Sequence, residues 1–153
     1  MNTYFDNYNK FLMEFGKGRT MVLSSSESNV VTSRMMSVVC LDGLLYFQTD
    51  KTFRKYHQLI NNPRVALCID NIQIEGICEE IGHPMDFPAF CDLYRECFNG
   101  SFRKYSALQN ERLFAVRPTY IERWLYIDGS PYMETFDIEK QKYELKKYEI
   151  EGV

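Results

Sequence analysis

At 153 residues the chain is long enough to bury one core without metal or disulfide staples, so a single domain over residues 1–153 is expected. Its net charge of -3 arises from 18 basic and 21 acidic residues spread along the chain, which argues against nucleic acid or an anionic membrane as partner. Apolar residues at 45% and aromatics at 15% favour β-structure and a surface suited to a flat ligand or a partner.

Tyr4, Phe5, Tyr8, Phe11, Leu12 and Phe15 recur at helical spacing and stop at Gly16-Lys17-Gly18. This predicts an amphipathic helix over residues 3–15, packed as a lid on a sheet. The period then changes: Thr20 to Leu23 reads as a short strand, Ser24 to Asn29 as a polar turn, and Val30 to Leu41 as a longer strand. Asp42-Gly43 is a hairpin signal, because a type I′ turn needs positive φ, and Leu44 to Thr49 is the returning strand. Asp50 or Thr52 is placed to cap a helix with the apolar face Phe53, Tyr56, Leu59 and Ile60, which Asn61-Asn62-Pro63 ends.

Arg64 to Ile69 reads as a strand, Asp70-Asn71 as a turn, and Ile72 to Ile81 as a strand in which Gly76 marks a bulge or a close backbone approach. Pro88 to Phe98 and Phe102 to Leu108, separated by Asn99-Gly100-Ser101, read as two short helices. Leu113 to Val116 and Tyr120 to Ile127 are the last strands expected, around Arg117-Pro118. The lysine- and glutamate-rich tail, residues 139–153, reads as an edge strand, a docked arm or frayed coil. Hairpins first, helices inserted later and no βαβ alternation point to an α+β domain built on a closed or nearly closed antiparallel barrel.

The cysteines, Cys40, Cys68, Cys78, Cys91 and Cys97, contain no C-x-x-C and mostly sit in apolar runs, which predicts buried free thiols in a reducing compartment. The segment Met1 to Asp6 lacks the basic start and apolar stretch of a signal peptide, and no run approaches the ~18 apolar residues of a membrane span, so a cytoplasmic location is expected.

Four pieces then occur in order: Ser33-Arg34-Met35-Met36-Ser37, Gly43 to Thr49, Arg54 to Val65, and Ile72-Gln73-Ile74-Glu75-Gly76. A fifth, Pro118-Thr119-Tyr120-Ile121-Glu122-Arg123-Trp124, follows as a P-x-x-I-E-x-W strand. This set resembles the pyridoxamine-phosphate-oxidase-like FMN-binding proteins, in particular the branch of small general-stress-type proteins. The resemblance implies a six-stranded split β-barrel of Greek-key type with peripheral helices, its core spanning about residues 19–127. It also implies FMN as cofactor and a homodimer that holds FMN at the subunit interface.

The residues are compatible with that implication. Arg54 and Lys55, preceded by Lys51, stand on the first turn of a helix, where free N–H groups and the helix dipole favour a phosphate. Without the resemblance they read as a solvated helix face. The resemblance implies that Arg34, Met35, Met36 and Ser37, with Gln48 and Thr49, contact the ring and ribityl chain, and that Asn71 and Trp124 lie near the flavin, one or both in trans. Met35, Met36 and Trp124 otherwise read as packing residues, and His57 and His83 as surface histidines.

After its tryptophan a true pyridoxamine-phosphate oxidase carries a basic R-x-H-like segment. Here Leu125 to Glu134 holds neither arginine nor histidine, so a vitamin B6 phosphate is not the expected substrate. The reading is an FMN-dependent oxidoreductase acting on some other small molecule. The alternatives are a non-catalytic flavin-binding or stress-related protein, or a haem-binding relative using His57 or His83.

Overall fold

The computed structural model describes residues 3–150. In chain order the elements are α1 (Tyr4–Phe15), β1 (Gly18–Glu27), β2 (Val30–Leu41), β3 (Leu44–Asp50), α2 (Arg54–Asn61), β4 (Arg64–Ile69) and β5 (Ile72–Gly82). A 3-10 turn (Pro84–Asp86), α3 (Pro88–Cys97), α4 (Asn99–Tyr105), β6 (Glu111–Ile127), β7 (Ser130–Asp137) and β8 (Lys142–Lys147) follow. The sheet runs β3-β2-β1-β4-β5-β6-β7-β8, and a further pairing of β3 with β6 closes its first six strands into an antiparallel barrel. This is the expected α+β split barrel, extended by a two-stranded ribbon.

α1 forms where the aromatic spacing places it. Thr3 caps it, accepting from the Asp6 amide at 3.1 Å while its own amide donates back to the Asp6 carboxylate. Phe11 and Phe15 are buried, with Phe11 against Phe136 of β7 at 5.4 Å between ring centroids, so the helix covers one side of the core as a lid. Inside the barrel Phe47 and Phe114 stack at 5.3 Å across β3 and β6.

The serine-rich stretch is strand, not turn. β1 continues to Glu27, and the turn is Ser28-Asn29 alone, both at positive φ (50° and 64°). Cross-strand hydroxyl pairs explain why polar residues sit there: Ser24 with Ser33 at 2.8 Å and Ser25 with Thr32 at 3.3 Å. Neither Asp50 nor Thr52 caps α2. Its cap is Phe53, without a side-chain bond, and Asp50 instead accepts from the Thr52 amide and hydroxyl. Ile60 faces solvent while Gln58 and Leu59 are buried, because Gln58 is held by partners on β1 and β2.

Asn99-Gly100-Ser101 forms the first turn of α4 instead of separating two helices, a place where such residues cost little. The two last strands predicted are one strand, β6, which changes neighbours midway: Glu111 to Val116 pairs with β3, and Tyr120 to Ile127 pairs with β7. Pro118 sits at the change, opposite Gly76 of β5, where the register slips. β7 was not expected at all, and the tail after it is an edge strand, β8, dense in lysine and glutamate as exposed edges commonly are. The end of that tail, residues 151–153, lies outside the described residues, as do the first two of the segment Met1 to Asp6. All five cysteines are free, but Cys68 is exposed on β4, against expectation. No helix among the described residues is long and apolar enough to cross a membrane.

Gly76 serves close approach. A Cβ there would lie 2.7 Å from Val116 Cγ1 and 2.9 Å from the Arg117 carbonyl oxygen, which cannot rotate away. Gly76→Ala is therefore expected to lower stability by about 1–3 kcal/mol, read as a fall in the urea midpoint at unchanged slope.

Candidate functional site

Two adjoining cavities share Phe53 and Lys55. The first, of about 410 Å3, lies between Met35, Met36 and Ser37 of β2, Gln48 and Thr49 of β3, Glu111 of β6, and a roof from α3 and α4 that includes Tyr94, Ser101 and Tyr105. The second, of about 530 Å3, is bounded by Thr32, Ser33, Arg34, Arg54 and Gln58. The fold thus gathers Arg34, Met35, Met36, Ser37, Gln48, Thr49, Arg54 and Lys55 around one continuous hollow.

Strand alternation brings Met35 and Ser37 of β2 and Gln48 of β3 to this hollow, opposite Val38 and Phe47, which are fully buried in the barrel, while Met36 and Thr49 share the inward face and border the hollow from there. Tyr94 ties the roof to the sheet through hydroxyl contacts with Ser37 and Ser101, and burial foremost pushes its pKa up. Gln48 is buried and accepts from the Ser106 hydroxyl at 2.8 Å.

Among the described residues the Thr49 hydroxyl oxygen is buried with no hydrogen-bond partner. A native buried hydroxyl is seldom left so, and this one stands in the pocket wall, where a polar ligand atom would satisfy it. Lys55 is half-buried, its ammonium 3.4 Å from the Met36 sulfur and 5.7 Å from the Phe53 ring centroid. Burial and then the Arg34 charge lower its pKa, against an opposing pull from Glu111. A cation placed against a thioether and a ring face has donors to spare for an anion. Arg54 is exposed beside it, in the second cavity.

Arg34 lines the second cavity and is also a tie within the fold. Its guanidinium donates to the Leu23 carbonyl (3.1 Å), the Ser25 hydroxyl (2.9 Å), Thr32 Oγ1 and Gln58 Oε1 (2.9 Å). It is committed to fixing α2 against β1 and β2, and so positions Lys55.

Lys51 is exposed and lines neither cavity. Asn71 and Trp124 lie at the opposite end of the β5–β6 pair, bonded to each other: Asn71 Nδ2 donates to the Trp124 carbonyl at 2.7 Å, and the Trp124 amide to the Asn71 carbonyl at 3.2 Å. The Trp124 ring packs edge-on against Tyr126 and Tyr148, beside a separate cavity of about 560 Å3. Within one chain these two residues do not join the pocket.

Sequence reading missed Glu111 and Tyr94. Glu111 is 6% exposed, and its pKa is pushed up to about 7, by burial first and then by Asp50, against Lys55 and His83. Counting back by two from Leu113, which packs against α3, puts Glu111 on the helix-covered face of β6, and that alternation was the available signal. For Tyr94 it was helical spacing from Phe90 and Cys91.

Among solved structures, General Stress Protein 26 from Bacillus anthracis str. Sterne is 24% identical, with 70% of this chain and 84% of that chain covered at a TM-score of 0.55. A pyridoxamine 5′-phosphate oxidase-related, FMN binding protein from Nostoc punctiforme PCC 73102 is 15% identical, with coverage of 86% and 87% and a TM-score of 0.61. PhzG from Burkholderia lata 383, in complex with tetrahydrophenazine-1-carboxylic acid, is 13% identical, covered to 98% and 94% at a TM-score of 0.62. At these identities the likeness is one of fold. No curated protein matches the sequence. The family model described as Pyridoxamine 5′-phosphate oxidase matches residues 8–125, which take in β1 to β5, β6 as far as Leu125 and every residue considered above for the pocket, and the chain belongs to that family.

Proposed function

We propose that the pocket binds FMN and that the protein is an FMN-dependent oxidoreductase whose substrate is a small molecule other than a vitamin B6 phosphate. The observation that carries the reading is the half-buried Lys55 ammonium, set where the two cavities meet with, among the described residues, only a sulfur and a ring face as partners. Lys55 and Arg54 hold the phosphate, while the unpartnered Thr49 hydroxyl and buried Gln48 meet polar atoms of the ring or ribityl chain. Tyr94 and Leu108 wall the ring space and keep water out. FMN, when bound, supplies the electron-transfer chemistry, and the chain supplies grip, orientation and polarity.

The family and the FMN-binding Nostoc protein support this reading. Haem binding is less well served. His83 has both ring nitrogens engaged, Nδ1 accepting from the Met85 amide and Nε2 lying 2.8 Å from the Leu108 carbonyl, and His57 is exposed.

The site is completed by a second copy of the chain. Met35 and Phe53 at the pocket are 57% and 54% exposed, and Tyr126 and Tyr148 form further exposed apolar surface beside Trp124. Asn71 and Trp124 act from the partner on its neighbour's pocket.

The test is to purify the protein, titrate it with FMN and riboflavin by flavin fluorescence, and assay reduction by NADH or NADPH. Yellow protein with a preference for FMN and pyridine-nucleotide turnover is expected, with no useful oxidation of pyridoxine or pyridoxamine 5′-phosphate. Tight FMN binding without turnover would leave a flavin-storing protein. A sedimenting monomer that still binds FMN tightly would remove the partner's contribution.

A further inference from the structure

Glu111 opens β6 at the floor of the pocket, and its carboxylate forms no salt bridge among the described residues. Groups from every surrounding element act on it. Asp50 at the end of β3 favours its protonated form, Lys55 of α2 and His83 ahead of the 3-10 turn favour the carboxylate, and Tyr94 of α3 feels its charge. Neighbouring Arg112 is turned away, toward the Gln109 and Glu111 carbonyls and toward Glu80 at 3.8 Å. Burial outweighs these charges and leaves the carboxyl titrating at about 7.

We propose that Glu111 takes up a proton when the pocket fills and holds it as a hydrogen-bond donor to the ligand, so that the site selects a phosphate-bearing ring presenting an acceptor, such as a ring carbonyl. The inference rests on the FMN reading of this pocket. One proton comes from solvent, carboxylate becomes carboxylic acid, and no bond of the ligand forms or breaks. Two features of the pocket drive the uptake. A ligand under the α3–α4 roof strips the remaining water from the carboxyl, and a phosphate on Lys55 occupies the cation that otherwise favours the carboxylate. A dry carboxylate facing a ring carbonyl would oppose two acceptors, whereas the acid supplies a donor.

The sign follows from linkage. The ligand-bound carboxyl has the higher pKa, so affinity is fully present below about 7 and falls as pH rises through the window between free and bound values, by up to ~10-fold per pH unit. The phosphate, with a second pKa near ~6, does not titrate in that window.

Calorimetry of FMN binding at alkaline pH, in two buffers of different ionisation heat, measures the uptake. Wild type is expected to take up close to one proton (~1) and to lose affinity steadily above neutrality. Glu111→Gln is expected to take up none and to show a flat profile over the same range. An equal pH profile in both proteins would assign the proton to Lys55 or another group and overturn the inference while leaving FMN binding intact. Failure of wild type to bind FMN at any pH would overturn the pocket reading itself. If Glu111→Gln does not fold, the infrared carbonyl band of a protonated carboxylic acid, gained by wild type on adding FMN, supports the inference, and its absence refutes it.

Discussion

Replacing Arg54 and Lys55 together by alanine is expected to weaken FMN binding at least a hundredfold and to leave riboflavin binding almost unchanged. Each contact to a phosphate oxygen is charge-assisted and contributes ~1.5–3 kcal/mol, so two removed contacts reach about two decades even at the low end. Lys55 should carry the larger share, because it is half-buried where the cavities meet, whereas Arg54 is exposed and its pair is weakened by solvent. The empty fold should lose little. Burial already holds the Lys55 pKa below its ordinary value, so its charge is a burden on the unliganded protein. Flavin fluorescence with the two ligands, on wild type and double variant, reads both affinities. Equal loss for FMN and riboflavin would place the phosphate elsewhere.

Arg123→Ala is expected to cost about 3–5 kcal/mol of stability, read by urea unfolding. Arg123 donates to Glu134 at 2.8 Å and to Glu14 at 2.6 Å, and its guanidinium lies 5.3 Å from the Phe11 ring centroid. Glu134 is 7% exposed and otherwise keeps only the Tyr143 hydroxyl at 2.8 Å, so truncating the arginine strands a buried carboxylate. Removing both charges, as Arg123→Met with Glu134→Leu, should recover most of the loss, because the stranded charge rather than the missing contact dominates. A double variant as unstable as the single one would show that the arginine acts by packing α1.

What was legible in the sequence follows where local chemistry speaks for itself. The aromatic spacing of α1 and the Asp42-Gly43 hairpin are each enforced within a few residues, and each is present, whereas the bulge at Gly76 was legible as a glycine inside a strand although its cause, the close approach of β6, lies far along the chain. The Ser24 to Ser26 stretch misled because its hydroxyls find partners on β2, which no window on one strand reveals. β7 was hidden behind Asp128-Gly129, a hairpin turn of the same kind as Asp42-Gly43 that read as the end of the barrel. In the site, the ordered resemblance brought out Lys55 and Thr49. The structural tie that Arg34 makes was not legible, because its acceptors come from β1, β2 and α2 at once. Glu111 looked like a surface glutamate because its burial depends on a roof of helices packed from elsewhere in the chain.

The pairing of β3 with β6 bears on when the pocket exists at all during synthesis. Leu45 to Asp50 must find Val116 to Glu111 across β4, β5, α3 and α4, a closure that pays a large loop entropy before any contact rewards it. Lys55, Thr49 and the β2 residues leave the ribosome long before β6, the helices of the roof come just ahead of it, and the Glu111 floor arrives only with β6 itself. A nascent chain stopped short of β6 carries most of the grip and no enclosed space to use it. On the FMN reading proposed above, cofactor uptake is a late event, and FMN bound to the closed barrel stabilises the β3–β6 seam that completes its pocket.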